Sequence, residues 1–417
     1  MKTNPTKGMR DLLPEDVKFR EQVSKIITKN YEAWGFQKIE TPCIEDISLL
    51  GTGDGGENEK MIFKILKRGE KLDLSGLVAE KEIVDLGLRY DLTVPLSRFF
   101  ANNKSSLIYP FKSIQIGSVW RAERPQKGRF RQFTQCDIDI IGEKDNIAEI
   151  VLLSAATDAL IELGFNEFTL RINDRRFLIG LAQYFGFEEN DYDSLFITLD
   201  KMDKIGEDGV LTELKEKGLI NTKSKDLINF FATANRSSLT VNEQLALLPN
   251  NISDEIKASL NEIIETYSQY YNTNIVLDFG LIRGMSYYTG PIFEIEVAGF
   301  GSSVAGGGRY DGMISKFTSK EEPACGFSIG FERIVNILRE RSYEIKEDKR
   351  KIVLLYSTKT STAKILEKAK AIKQNGNIVS TYIQKKNLKN QLEVLKAEGF
   401  NYFCYADEED LNLKPIN

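Results

Sequence analysis

The sequence predicts an α+β domain with a mainly antiparallel sheet, interrupted by a helical insertion and followed by a small C-terminal α/β domain. Three observations predict this. Strand patterns flanked by helical ones fill residues 1–187 and return over 272–340. Between them, 188–271 has helical periodicity, polar linkers and almost no strand signal. After a highly charged stretch at 339–351, the segment 350–417 reads β-α-β-α-β, which implies a small parallel sheet of its own.

The elements follow in order. Residues 15–33 place Val17, Val23, Ile26, Ile27 and Tyr31 near helical spacing, with acids at the start. "GFQKIETPCIED" reads as one strand interrupted by Pro42, at an edge or bulge. "GGENEKMIFKIL" and "EIVDLGLRYDLTVPLSRFFA" read as a strand, a loop, and a strand running into a helix. Residues 147–165 read as a strongly amphipathic helix, and "EFTLRIND" as a short strand. After the insertion, "NIVLDFGLIRG", "PIFEIEVAGFG", "SVAGGGRYDGM" and "CGFSIGFERIVNILRE" restore strand patterns, the last running into a helix.

Bulk composition narrows the chemistry. Hydrophobic residues at 41% and charged residues at 28% are those of an ordinary globular protein, and no apolar run approaches a membrane span. The N-terminus has no apolar core of the signal-peptide kind, so the cytoplasm is the expected location. Cys43, Cys136, Cys325 and Cys404 are scattered, which favours reduced thiols and argues against a zinc site. A net charge of −5 does not advertise a nucleic-acid binder, although local patches do the binding. There is no histidine, where a chain of this length would carry about nine. That excludes a Ser-His-Asp triad, a Cys-His pair, an HExxH site and any histidine acid–base step. Chemistry must come from arginine, carboxylates, tyrosine, backbone groups or a bound metal.

The densest signal is "VWRAERPQKGRFRQFTQCDIDIIG", Val119 to Gly142. Arg121, Arg124, Lys127, Arg129 and Arg131 surround one glycine. Such a run is either a solvated hairpin tip or a cluster matched to phosphate oxygens or RNA backbone. Downstream, Phe133, Gln135, Asp137 and Asp139 share one strand face, and Thr134, Cys136, Ile138 and Ile140 the other. One face suits an apolar core. The other carries a ring, an amide and two carboxylates, and a ring beside phosphate-binding arginines suits a stacked purine. "LIRGMSYYTG" and "GFSIGFERI" are weak alone, and the glycines of "SVAGGGRYDGM" lack Rossmann or P-loop spacing.

In series, "KGMRDLLPED", "GFQKIETPCIE", "RYDLTVPLSRF", "RAERPQKGRFRQFTQCDID", "LIRGMSYYTGPIFE", "AGGGRYDGM" and "GFSIGFERI" closely resemble the histidyl-tRNA synthetases, a class II aminoacyl-tRNA synthetase family. The likeness runs from about Thr6 to Glu340 and more loosely through the C-terminal region, which resembles the family's anticodon-binding domain. It implies a class II-like catalytic domain, ATP and Mg2+, free histidine and histidine tRNA as substrates, and a homodimer with residues near Gly35–Glu45 in the interface. By resemblance, Arg121, Glu123, Phe133 and Arg333 would bind ATP, and Arg121 and Arg283 would act at the α-phosphate. Asp91, Thr93 and Gln135 would take the ammonium group. Asp139 and Tyr288 would bind the two imidazole nitrogens, Tyr310 and the backbone near Gly306 would close the pocket, and Gln126 would approach the tRNA acceptor end. No protein-held metal is implied.

The match departs from the family in two places. Ser286 stands where the usual RGLDYY pattern has Asp, and the chain stops at "ADEEDLNLKPIN", short of the expected last strand and helix. Two alternatives therefore stay open: a paralog that adenylates an amino acid for an acceptor other than tRNA, and a non-catalytic regulatory subunit of ATP phosphoribosyltransferase. The missing histidines have two readings, compositional drift and an enzyme whose own synthesis does not require its product.

Overall fold

The computed structural model describes residues 3–51, 58–69, 72, 79–124, 130–234, 239–282, 287–300, 303–318, 320–343 and 349–416. The chain forms two compact units, Met1–Ser342 and Tyr343–Asn417.

The first unit opens with α1 (Pro14–Ala33), whose first turn holds Pro14, Glu15 and Asp16 and whose buried stripe is Val23, Ile27 and Tyr31. Proline is tolerated where the N–H would be unpaired, and acids favour the positive end of the helix dipole. The expected single strand through Pro42 is two strands. β1 (Gln37–Lys38) runs parallel to β5 (Phe111–Trp120) at the edge of the large sheet. β2 (Ile44–Asp46), after Pro42, belongs to another sheet. Proline has no N–H to donate to a ladder, so the chain leaves one sheet there and enters the next.

α2 (Ile47–Leu50), β3 (Lys64–Leu66), α3 (Glu80–Ile83) and β4 (Val84–Leu88) follow, and the small antiparallel sheet has the order β2-β4-β3. After α4 (Thr93–Asn103), β5 and β6 (Gln132–Ile141) form a ten-residue antiparallel hairpin, paired from Phe111 with Ile141 to Trp120 with Gln132.

α5 (Ile147–Glu162) differs from the expectation of an amphipathic helix. Buried residues run all round it, including Glu149, Ser154 and Thr157. It packs against the sheet and α1, and only Ile147, Ile161 and Glu162 along it are exposed. Its polar groups find partners instead: Glu149 takes Arg309, and the Thr157 hydroxyl shares a 2.7 Å hydrogen bond with Tyr267.

β7 (Phe168–Asp174) and α6 (Arg175–Tyr184) lead into the helical region of α7 (Tyr192–Leu199), α8 (Met202–Glu216), α9 (Ser224–Ala234), α10 (Val241–Ala246) and α11 (Asp254–Tyr270). Its last helix lies on α5, where Asn146 donates to Glu262 at 2.6 Å. β8 (Asn274–Leu277), β9 (Pro291–Val297), β10 (Ser303–Arg309), α12 (Asp311–Ser315), β11 (Ala324–Ile329) and α13 (Phe331–Glu340) complete the unit. The large sheet has the order β1-β5-β6-β11-β10-β9-β7-β8. Only its two outermost pairs are parallel. The six central strands are antiparallel throughout.

The second unit comprises β12 (Lys351–Tyr356), α14 (Thr362–Gln374), β13 (Ile378–Ile383), α15 (Leu388–Ala397), β14 (Tyr402–Tyr405) and β15 (Lys414–Pro415). Its order is β13-β12-β14-β15, parallel except for β15, which adds an antiparallel edge that the sequence pattern did not predict. Ile352 and Leu354 face one core cluster, Val353 and Leu355 another. Burial on both faces is why that strand reads as an unbroken apolar run.

Candidate active site

The centre of the large sheet carries a cavity of about 330 Å³. The β6 alternation builds its floor. Cys136, Ile138 and Ile140 are buried on one face, while Phe133, Gln135, Asp137 and Asp139 line the cavity on the other.

The loop before α4 forms one wall. Arg89, itself buried, donates to the Thr41 carbonyl at 2.7 Å and the Ser118 carbonyl at 2.9 Å, which ties this loop to β5. Gly117 makes room, because a Cβ there would stand 2.5 Å from Arg89 Nη2. Asp91 and Thr93 then face the cavity, and Asp91 Oδ1 accepts from the Val94 N–H at 3.2 Å. Arg121, just beyond β5, donates from Nε to the Tyr90 carbonyl at 3.0 Å and sets its guanidinium 5.1 Å from the centre of the Phe133 ring. Glu123 lines the same end of the cavity.

The opposite wall is β10, β11 and the start of α13. Gly326 lets Asp139 and Tyr310 meet, since a Cβ there would lie 2.1 Å from Asp139 Oδ1 and 3.0 Å from Tyr310 Cε1. The Tyr310 hydroxyl donates to Asp139 Oδ1 at 2.6 Å, whereas Asp139 Oδ2 is buried without a partner among the described residues. Tyr287 and Tyr288 complete this end, their rings 4.7 Å apart. Arg333, in the first turn of α13, donates to the Ser303 carbonyl.

Ten of the residues singled out from sequence therefore surround one cavity: Asp91, Thr93, Arg121, Glu123, Phe133, Gln135, Asp139, Tyr288, Tyr310 and Arg333. Gly306 lines it too. Gln126, Arg283 and Ser286 lie outside the described residues, as do Lys127 and Arg129 of the arginine-rich loop.

Other groups at the site were not assigned a role from sequence. Asp137 accepts from the Ser328 hydroxyl at 2.5 Å and from Gln135 Nε2 at 3.1 Å. The salt-bridging residue of "GFERI" is Glu332, whose buried carboxylate takes Arg20 at 2.6 and 2.7 Å, Arg10, and the Thr134 N–H at 3.2 Å. Arg10 also sits 4.0 Å over the Phe130 ring, and Gly8 accepts from the Arg131 N–H at 2.8 Å. The N-terminal strap thus braces both the arginine-rich loop and α13. No local signal could have paired Arg10 with a glutamate 322 residues away.

The floor is electrostatically strained. Burial, with Asp91 nearby, pushes the Asp137 carboxyl up to about 7 against the pull of Ser328, Arg121 and Gln135. Burial and then the charge of Asp137 push Asp139 up to about 8, although the Tyr310 hydroxyl counters. Burial followed by Asp139 holds the Tyr310 phenol well above its ordinary value. A pocket with surplus acceptors and raised carboxyls awaits hydrogen-bond donors and positive charge. Among the described residues, no group of three or more Cys, Asp or Glu side chains is placed to hold a metal ion, and no helix is long and apolar enough to cross a membrane.

Comparison with known proteins gives a concordant result. The family model described as histidyl-tRNA synthetase matches residues 8–334. A histidine–tRNA ligase of Leifsonia xyli is 42% identical, covering 99% of this chain and 98% of its own. A probable histidine–tRNA ligase of Tropheryma whipplei is 40% identical over 98% of this chain and 96% of its own. Among solved structures, a histidyl-tRNA synthetase from Nostoc sp. PCC 7120 superposes with a TM-score of 0.79 at 24% identity, covering 97% of this chain and 91% of its own. A Bacillus halodurans protein described as an ATP phosphoribosyltransferase regulatory subunit/histidyl-tRNA synthetase gives 0.77 at 23%, covering 97% and 98%. At those identities the structures speak to the fold, and the sequence matches speak to the family. The chain belongs to the histidyl-tRNA synthetase family.

Proposed function

We infer that this chain is a histidine–tRNA ligase, which activates histidine with ATP and transfers it to the 3′ end of histidine tRNA. One observation carries the reading: Asp139 Oδ2 and Gln135 Oε1 are buried acceptors with no partner among the described residues, on the floor of a cavity that also holds Arg121, Phe133 and Arg333. Two separate acceptors suit a substrate with two donor groups, an ammonium and an imidazole N–H.

In this reading Asp91, Thr93 and Gln135 hold the ammonium, and Asp139 and Tyr288 hold the imidazole nitrogens. Tyr310 keeps the Asp139 carboxylate in place, and the backbone at Gly306 closes the pocket. An apolar competitor would leave these groups unpaired, so discrimination is strong. ATP enters as its magnesium complex, the metal being part of the substrate. Phe133 stacks on the adenine, Glu123 meets its edge, Arg333 takes the γ-phosphate and Arg121 the α-phosphate. Arg283 is assigned to the α-phosphate, and Gln126 to the acceptor end of tRNA, on their motif positions.

A histidine carboxylate oxygen attacks the α-phosphorus in line, the bond to the bridging oxygen breaks, and pyrophosphate leaves. The terminal ribose hydroxyl of tRNA then attacks the acyl carbon of histidyl-adenylate, and AMP departs. Both steps rest on positioning and on arginines aimed at developing phosphate charge, so a chain without histidine can perform them. In this reading the protein acts in the cytoplasm.

A second copy is the other partner in this reading. Ile44 and Leu86 are exposed on one face of the small sheet, and Ile108 and Tyr109 are exposed before β5. Such apolar surface supports a homodimer that includes the Gly35–Glu45 region.

ATP–pyrophosphate exchange with each amino acid, beside charging of total tRNA, tests the function. Histidine-dependent exchange with charging confined to histidine tRNA is expected. Exchange without charging would favour an adenylating paralog, and no exchange would favour the regulatory subunit.

A further inference from the structure

Asp137 faces the cavity between Gln135 and Asp139 and is 5% exposed, yet the proposed reaction gives it no task. Its surroundings suggest one. Ser328 lies directly across the β6–β11 ladder from Asp137, and its hydroxyl donates to Asp137 Oδ1 at 2.5 Å. Gln135 Nε2 donates to Asp137 Oδ2 at 3.1 Å. The other end of that amide, Gln135 Oε1, is buried with no partner among the described residues.

A side-chain amide has a donor end and an acceptor end, whereas an ionised carboxylate only accepts. Only the NH₂ of Gln135 can face Asp137, so its carbonyl must point away. We propose that Asp137 is a positioning residue for substrate binding: held by Ser328, it fixes the Gln135 amide so that Oε1 faces the ammonium group of the amino acid. This rests on the function proposed above. Without the carboxylate, the amide can turn and set its own NH₂ against a cation. Asp137→Asn, of nearly the same shape, invites that reversal. Its oxygen can keep the Ser328 hydrogen bond while its NH₂ turns toward Gln135.

The test compares two ligands in wild-type protein, Asp137→Asn, Gln135→Ala and the double variant at pH 8. Histidine carries the ammonium, and 3-(imidazol-4-yl)propanoate lacks it. Calorimetry supplies both dissociation constants, and pyrophosphate exchange supplies KM and kcat. Asp137→Asn is expected to weaken histidine binding about tenfold or more, through KM, while the des-amino compound shifts less than about twofold. In the Gln135→Ala background, Asp137→Asn should have no further effect, because an effect relayed through Gln135 is not additive. Ser328→Ala should give a smaller loss with the same selectivity, which covers misfolding of the first variant.

Equal losses for both ligands would overturn the proposal. A full effect of Asp137→Asn in the Gln135→Ala background would also overturn it, since Asp137 would then touch the ammonium itself. Failure of the wild-type protein to bind histidine would instead reject the function on which the proposal rests.

Discussion

The Tyr310 hydroxyl donates to Asp139 Oδ1 at 2.6 Å, and Oδ2 of the same carboxylate is buried with no partner among the described residues. One oxygen is anchored, which leaves the other for the imidazole N–H of the substrate proposed above. Asp139→Asn keeps the size and the anchor but puts an NH₂ at one end of the group. In pyrophosphate exchange, kcat/KM for histidine should fall roughly 10²-fold or more, with KM for ATP little changed. An equal rise in both KM values would show that the residue shapes the pocket without recognising the amino acid.

The same residue sets a stability trend. Its folded carboxyl is raised to about 8, far above the usual aspartate value near 3.8. The folded state therefore binds this proton more tightly than the unfolded chain does. The stability it contributes is fully present below the unfolded value and is lost as pH rises through about 8. Ligand-free wild-type protein should lose thermal stability relative to Asp139→Asn between pH 5 and 8.5. Melting curves of the two proteins should diverge across that range, and parallel curves would refute the assignment.

Substrate affinity should move the other way. Asp137 and Asp139, raised to about 7 and about 8, share the cavity with Asp91, Arg121 and Tyr310. A bound ammonium and imidazole N–H favour the ionised carboxylates, so binding releases protons. The dissociation constant for histidine should fall as pH rises from 6.5 to 8.5, by at most about tenfold per unit for each proton released. Calorimetry in buffers of different ionisation heat should count those protons. An affinity independent of pH, with no proton release, would contradict the raised values.

Two glycines separate function from folding. A methyl group at Gly326 would meet the movable carboxylate of Asp139 at 2.1 Å, whereas one at Gly307 would meet the Gly326 carbonyl at 1.9 Å and Phe327 Cα at 2.7 Å. A side chain can turn aside, but paired backbone cannot. Gly326→Ala should keep most of the stability and lose histidine activation. Gly307→Ala should cost about 3 kcal/mol or more. Urea midpoints beside exchange rates would distinguish them, and equal stability losses would contradict the contrast.

These contrasts mark where sequence was legible and where it was not. The β6 face of Phe133, Gln135, Asp137 and Asp139 was readable because side chains alternate strictly along a strand. The register that sets Ser328 opposite Asp137 was not, because it arises from the order of the sheet. The same limit hid the bond from Arg10 and Arg20 to Glu332. Pro42 signalled an interruption, but not that the flanking residues join different sheets. In α5, Glu149, Ser154 and Thr157 imitate a polar face because their buried partners lie elsewhere in the chain.

Arg309 belongs to that last class, and its position in the glycine-rich run beside Tyr310 makes it look like a site residue. Alternation along β10 instead turns it away from the cavity. Its Nε and Nη2 donate to Glu149 at 2.6 and 2.8 Å, and Nη1 donates to the Glu143 carbonyl at 3.1 Å. Glu149 is fully buried, so removing the arginine leaves an unpaired charge in the interior. Arg309→Leu should cost roughly 3–5 kcal/mol. Adding Glu149→Leu should recover much of that, because the desolvation of both charges disappears together. Folded protein of either variant should keep its KM for histidine and ATP. A KM defect in the restabilised double variant would mean that Arg309 acts on substrate, and the structural role assigned to it here would be wrong.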